Sequence, residues 1–540
     1  MRSQVECLFR PLYGALDRKV SRVDELTNPA LPKRELYAIL GALMLGMFLA
    51  ALDSTIVSTA LPTIVAELHG ANHLSWVVVS YLLASTVTTP MWGKLGDLHG
   101  RKIYFQAAIV IFLVGSVLCG LSTSMLELIL FRALQGIGGG GLLVGAQSII
   151  ADIIPPRERG RYAGFFGATF GAATVLGPLA GGLIVEYFSW RWVFYVNIPF
   201  GILALAVTTA ALPGTVRRMK HTIDYVGFLT LTVAASALIL FTTLGGNSFA
   251  WASSPSILLV AGGVALTVIF VFIERKAKEP IIAPHLFANR VFSSASTIGF
   301  VVGFAMYGAM TFLPLFLQEV RGVTPTMSGV RLLPMMVGLF GASILTGYLV
   351  SRGSKYRIFP ILGTAVMTGG LLLLGTVGVT TSSWYMSFDM LVFGIGLGLV
   401  MQILVTAVQN AVEMQDIGAA TAGANFFRSI GGSFGTAVFG AIYVHEFPLA
   451  WTADLHAAHL KYVAPLTTSL TPAELKKIPP AYLSVISHSI ATSVQTLFHY
   501  AVPVGALALL LSLTLPEIKL RTSVGHNARE DLVLGEDSLL

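Results

Sequence analysis

The 540 residues are 55% hydrophobic and only 11% charged, with 34 lysines and arginines against 27 acids for a net charge of +7. An ordinary soluble domain is about 25% charged, so this composition excludes one and indicates a membrane protein. The basic excess does not indicate nucleic acid, because the lysines and arginines fall in short clusters between apolar runs, as membrane topology requires.

The first 35 residues hold no continuous apolar core and no small-residue cleavage site, so they do not read as a signal peptide. Cys7 and Cys119 have neither zinc spacing nor a disulfide framework. From there the chain is a series of runs of roughly 20 apolar residues, the length that crosses a bilayer. Fourteen begin near residues 37, 74, 104, 126, 162, 193, 225, 256, 294, 328, 358, 386, 423 and 488. An even number places both termini on one side. Most basic residues fall on alternate connections, among them Lys94, Arg101, Lys102, Arg157, Arg217, Arg275 and Lys355. That bias marks the cytoplasmic side, where both termini are expected.

The first run carries an acid, Asp53, roughly 24 Å along the helix from Tyr37. A charge at that depth is costly and is a functional candidate by default. Arg132 in the fourth run lies roughly 9 Å below the outer surface, at similar depth. A nearby arginine favours the charged carboxylate and burial favours the neutral one, so substrate or helix movement can tip the balance. A proton-coupled switch, a static ion pair and an aspartate at a water-filled vestibule all fit.

The second run exits through GKLGDLHGRK, residues 93–102. Gly93 and Gly100 permit a tight turn, Asp97 can accept from the N-terminus of a neighbouring helix, and Arg101 and Lys102 offer charged partners, which suits a gating latch. In the fourth run QGIGGGG follows no strand and lacks the Lys-Ser/Thr of a phosphate loop. The fifth holds GAATVLGPLAGG, where Gly171, Gly177, Gly181 and Gly182 allow close helix approach and Pro178 bends the helix. Plain packing and a hinge or seal remain open there.

The chain also repeats itself at an offset of eight helices. GYLVSRGSKYR (347–357) weakly echoes 93–102, and FGIGLG (393–398) echoes QGIGGGG, with Ser351 in the place of Asp97 and Met390 in that of Arg132. Two six-helix units flanking two inserted helices would give this offset, an arrangement of transporters whose halves rock about a midplane site. The expected fold is an all-α polytopic bundle of fourteen transmembrane helices. It divides into a tail (1–36), a six-helix bundle (37–212), two inserted helices (213–291), a second bundle (292–515) with a polar extracytoplasmic loop (447–485), and a tail (516–540). Gln402, Gln409, Asn410 and Arg428 are candidates to line a cavity; they and Arg331 and His499 equally suit interhelical hydrogen bonds. Met306, Met310, Met335, Met336 and Met401 suit an adaptable pocket or simple packing. Neither a catalytic constellation nor a metal site is visible, so no enzyme activity and no cofactor are expected.

These residues resemble the major facilitator superfamily, and within it the fourteen-helix drug:proton antiporter branch. LDSTIVSTALPTI (52–64) resembles that branch's first-helix signature, with Ser58 where Asn is usual. GKLGDLHGRK resembles the superfamily's loop motif, with Leu98 where a basic residue is common. FRALQGIGGGG, GAATVLGPLAGG, WRWVFYVNIPFG and FFRSIGGSFGTA are similar to its later motifs. The resemblance spans nearly the whole chain. It implies export of hydrophobic or amphiphilic compounds from the cell (plasma or inner) membrane, driven by the proton gradient, with Asp53 and Arg132 in coupling and residues 93–102 in gating. One clear acid and several arginines in the membrane core weigh against obligatory dicationic cargo. Two alternatives stay open. One is a dedicated lipid or metabolite exporter whose extra helices and polar loop contact lipid or an envelope partner; the other is a membrane enzyme or non-transporting receptor on the same scaffold.

Overall fold

The computed structural model describes residues 33–68, 74–212, 224–245, 249–353, 355–460 and 479–521. The tail up to residue 32, the basic connection with Arg217, the polar segment 461–478 and the tail from 522 lie outside the described residues.

Backbone groups in lipid must be satisfied within the chain, and α-helices do this segment by segment. The described residues form fourteen long helices: α1 Lys33–Leu68, α2 Leu74–His99, α3 Arg101–Leu121, α4 Met125–Ile153, α5 Pro156–Tyr187, α6 Asn197–Ala211, α7 Tyr225–Leu244, α8 Ser254–Glu274, α9 Arg290–Leu315, α10 Leu333–Ser351, α11 Ile358–Leu374, α12 Ser383–Ala411, α13 Ile417–Ala457 and α14 Pro480–Ser512. Among the described residues, ten helical segments are long and apolar enough to cross a membrane on their own. α2, α5, α11 and α13 pack among them.

Polar caps and prolines set the helix starts. Ser124 accepts from the Glu127 backbone at the head of α4, and Asp224 from that of Gly227 at the head of α7. Such caps satisfy amides that have no partner within the helix. Gly100, with φ of 106°, makes the break between α2 and α3 that an L side chain resists. α13 runs on to Ala457, so residues 447–457 of the segment expected as a loop are helical.

α1 to α6 pack around one set of apolar cores and α9 to α14 around another. α4 wedges between α2 and α3 because its glycines remove side chains at the crossings. A Cβ on Gly140 would lie 2.4 Å from the Ser85 carbonyl oxygen of α2, and one on Gly138 2.6 Å from that of Ala108 on α3. α5 meets α10 and α2 meets α13, forming the seams between the halves. α7 and α8 form a hairpin, and α7 also touches both α2 and α13. Val87, Leu231, Ala235 and Phe426 share one apolar cluster there.

Candidate functional site: a buried ion pair and an end seal

Asp53 is 0% exposed and Arg132 1%, and the guanidinium is bonded to Asp53 Oδ2. Arg132 also donates to Gln135 Oε1 at 2.8 Å and to the Val77 carbonyl at 3.2 Å. Gln135, three residues on and hence on the same face of α4, donates to Asp53 Oδ1 at 2.7 Å. Asn197, at the start of α6, donates to the same oxygen at 3.0 Å and to Ser116 Oγ of α3 at 3.0 Å. Arg132 lies 4.2 Å from the centre of the Tyr81 ring, a cation–π distance. Five helices thus enclose one carboxylate and one guanidinium. Both are charged groups taken out of water, tolerable because each finds a counter-charge and further hydrogen bonds. Asn197 Oδ1 has no hydrogen-bond partner among the described residues.

A second polar system closes the end of the bundle where α1 begins and α14 finishes. Asp97 accepts from the Gly418 and Ala419 backbone amides at 3.0 and 2.8 Å. These are the second and third amides of α13, in the first turn, where the helix dipole favours an anion. Arg101 holds Asp97 at 2.9 Å and Asp152 at 3.0 Å. Gly93 makes the crossing possible, since a Cβ there would lie 2.4 Å from the Gly418 carbonyl oxygen. Lys102 turns aside to the Thr209 carbonyl at 2.8 Å. Three further contacts bridge the same end: Arg159 to Gln409 (3.1 Å), Asn425 to Gln147 (2.6 Å) and Lys94 to Glu279 (3.0 Å).

The fifth-helix glycines divide between two neighbours. Gly177 packs on Thr55 of α1, whose hydroxyl donates to the Ala173 carbonyl at 3.0 Å, and Gly181 packs on Ile56. Gly171 faces Phe340 of α10, and Pro178 lies against Gly329 in the short helix Pro325–Arg331. Gly182 is half-buried. α5 therefore presses the first half against the second.

Of the cavity candidates, Gln409 belongs to the end seal and Asn410 holds the chain after α14, accepting from Arg521 N at 2.9 Å. Gln402 is half-buried, and Arg428 borders a recess between α9, α12 and α13. His499 is exposed rather than buried, and Arg331 is half-buried at the end of the short helix before α10. Met306, Met335 and Met336 are core residues, whereas Met401 borders the recess. The expectation of one clear acid in the membrane core is corrected. Asp389 in α12 and Glu274 at the end of α8 are 6% and 3% exposed, and Glu319 is half-buried in the π turn Phe316–Val320. With these further buried acids, the count of charges in the core no longer weighs against cationic cargo.

Sequence reasoning also missed Gln135, Ser116 and Asn197. Asn197 was within reach, since it stands in the quoted stretch WRWVFYVNIPFG; no rule of spacing joins it to Asp53.

An all-helical, multi-pass bundle with an ion pair sealed inside one half is the architecture of a membrane transporter. The family model described as Major Facilitator Superfamily matches residues 43–436, and the chain belongs to that superfamily. It is 43% identical to an uncharacterized MFS-type transporter of Mycobacterium tuberculosis over 92% of this chain and 71% of that one. It is 37% identical to the multidrug transporter protein MdtP of Bacillus subtilis over 91% of this chain and 95% of the relative. The solved structure of the proton:xylose symporter XylE superposes with a TM-score of 0.57 at 15% identity, covering 90% of this chain and 97% of that one, a likeness of fold alone.

Proposed function

We propose that this chain is a proton-coupled exporter of hydrophobic or amphiphilic compounds, of multidrug-efflux type, seated in the cell membrane with both termini in the cytoplasm and working by alternating access. The observation that carries this reading is the Asp53–Arg132 pair, buried at 0% and 1% exposure inside apolar helices. A retained intramembrane charge is expensive unless it works. The multidrug name of the MdtP relative supports the class of cargo.

In the proposed cycle a proton arriving on Asp53 cancels its charge. Arg132 then keeps Gln135 Oε1 and the Val77 carbonyl but loses its counter-ion. The amide of Asn197 can turn its unpartnered Oδ1 toward the new hydroxyl, satisfying the neutral acid. Helix packing around α1, α4 and α6 thus differs between the two charge states. The seal made by Asp97 on α13 is the element to be opened and closed. Protons leave and cargo loads when that end is open, and cargo leaves when it is shut.

The test uses purified protein in vesicles loaded with a pH-sensitive dye, with a gradient of an ethidium-like dye imposed. Proton movement driven by the substrate in wild type, and lost in Asp53→Asn, is expected. Substrate movement with no proton flux, unchanged in the variant, would leave a facilitator and overturn the coupling.

A further inference from the structure

Arg428 stands eleven residues after Ile417, the first of α13, and so roughly 16 Å along the helix. That is near the middle of a hydrocarbon layer about 30 Å thick. It borders a recess whose other walls are apolar: Ala295 and Gly299 of α9, Met401, Leu404 and Val405 of α12. Its guanidinium donates to Asn425 Oδ1, one turn back on the same helix. No carboxylate lies within ion-pair distance of it among the described residues. Arg132, at the corresponding job in the first half, has Asp53. An arginine at this depth without a counter-ion leaves a charge uncompensated, which is costly, and a ligand anion is what would compensate it.

Asn425 extends the argument. Its side-chain amide donates to Gln147 Oε1 of α4 at 2.6 Å, across the seam between the halves. Asn425, which accepts from Arg428, is thus itself part of the end seal. An anion that draws the guanidinium away from Asn425 frees one side of that bridge.

We propose that Arg428 takes the acidic head of an amphiphilic substrate, a carboxylate, sulfonate or phosphate, the recess of about 10 Å³ beside it having to widen to admit the rest of the molecule. The proposal rests on the transport reading above and names the cargo's charge. It gives the second half a substrate-binding charge and leaves the first half its own ion pair.

Two dyes with one body separate the outcomes: 1-anilinonaphthalene-8-sulfonate and its neutral parent N-phenyl-1-naphthylamine. Their binding to detergent-purified protein and their movement in vesicles are followed by fluorescence for wild type, Arg428→Gln and Arg428→Lys. Loss of a hydrogen-bonded charge partner predicts sulfonate binding weakened about 10-fold or more in Arg428→Gln, partial recovery in Arg428→Lys, and parent-dye binding within about 2-fold. Equal weakening of both dyes in both variants would make Arg428 a packing residue and overturn the proposal. So would sulfonate binding indifferent to Arg428→Gln, or wild type that moves the parent dye and ignores the sulfonate; in that last case the transport reading survives. Sulfonate bound through Arg428 with neither dye moved would keep the site and sink the transport reading.

Discussion

The two halves use the same packing and opposite electrostatics. In α4 the glycines at 138 and 140 let α3 and α2 come within backbone contact; in α12 Gly396 does so against Met367 of α11, and Gly398 against the Leu339 carbonyl of α10. The helix wedged between two neighbours is therefore built twice from the same small-residue device. The charges are not repeated. Arg132 has Met390 as its sequence counterpart, 1% exposed in the apolar core, while the second half carries Arg428 on α13 with no carboxylate at ion-pair distance among the described residues. Shape is thus fixed by the repeat, and chemistry is added to one copy at a time.

The strongest way to break this comparison is to make the first half electrostatically like the second. Asp53→Asn leaves Arg132 buried without its counter-ion, and removing one partner of a buried pair costs about 3–5 kcal/mol. The double change Asp53→Leu with Arg132→Met removes both charges and is expected to recover most of that loss in a detergent melting experiment while proton flux stays absent. Recovery of flux together with stability would show that the pair is structural.

The seal comes next. Asp97→Asn keeps one acceptor but loses the charge that faces two amides of α13 and Arg101. Hydrogen bonds to a charged group are worth about 1.5–3 kcal/mol. Amide exchange at Gly418 and Ala419 should quicken by roughly 10-fold or more, measured by hydrogen–deuterium exchange. Unchanged protection there would mean that the seal does not depend on this carboxylate.

The packing device gives the third. Gly138→Leu and Gly396→Leu each place a side chain where a Cβ alone would lie within 2.6 Å of a neighbouring helix backbone. Overpacking costs about 1–3 kcal/mol, and the comparison requires similar losses of thermal stability from both. A loss from only one would show that the repeated glycines do different work in the two halves.

Much of this was legible in the sequence, and for a physical reason. Helices in lipid must be long and apolar, so hydropathy marks them one by one, and all fourteen runs appear as helices. A charge deep in such a run stands out, which is why Asp53 and Arg132 could be named, whereas Asp389, near the start of α12, was not. Neutral polar residues do not stand out. Gln135, Ser116 and Asn197 became visible only when α3, α4 and α6 were brought together around Asp53. Gln409 and Asn410 carried no signal of depth, and the fold places them in the end seal and under the C-terminal chain rather than beside Arg428. Asp97 was read from its position in a turn, and its partner helix, 321 residues away, came from the fold.

The smallest effect comes from another acid on α1, at its far end. Glu67 lies beyond the apolar span Arg34–Leu61 and pairs with Arg191 at 2.6 Å, while Trp190 Nε1 donates to it at 2.8 Å. Its side chain is 49% exposed, against 0% for Asp53. The hydrogen bond from Arg191 holds the Glu67 carboxyl below the usual glutamate range. A depressed folded value contributes stability that is present above the unfolded value, about 4.3, and fades as pH falls through the folded one. Exposure to solvent limits the contribution to about 0.2–1 kcal/mol. Arg191→Ala should therefore melt slightly earlier than wild type at pH 7, and the gap should close at acidic pH. A gap as large as that of Asp53→Asn, or one that widens toward acid, would mean that burial is not what separates these two pairs on one helix.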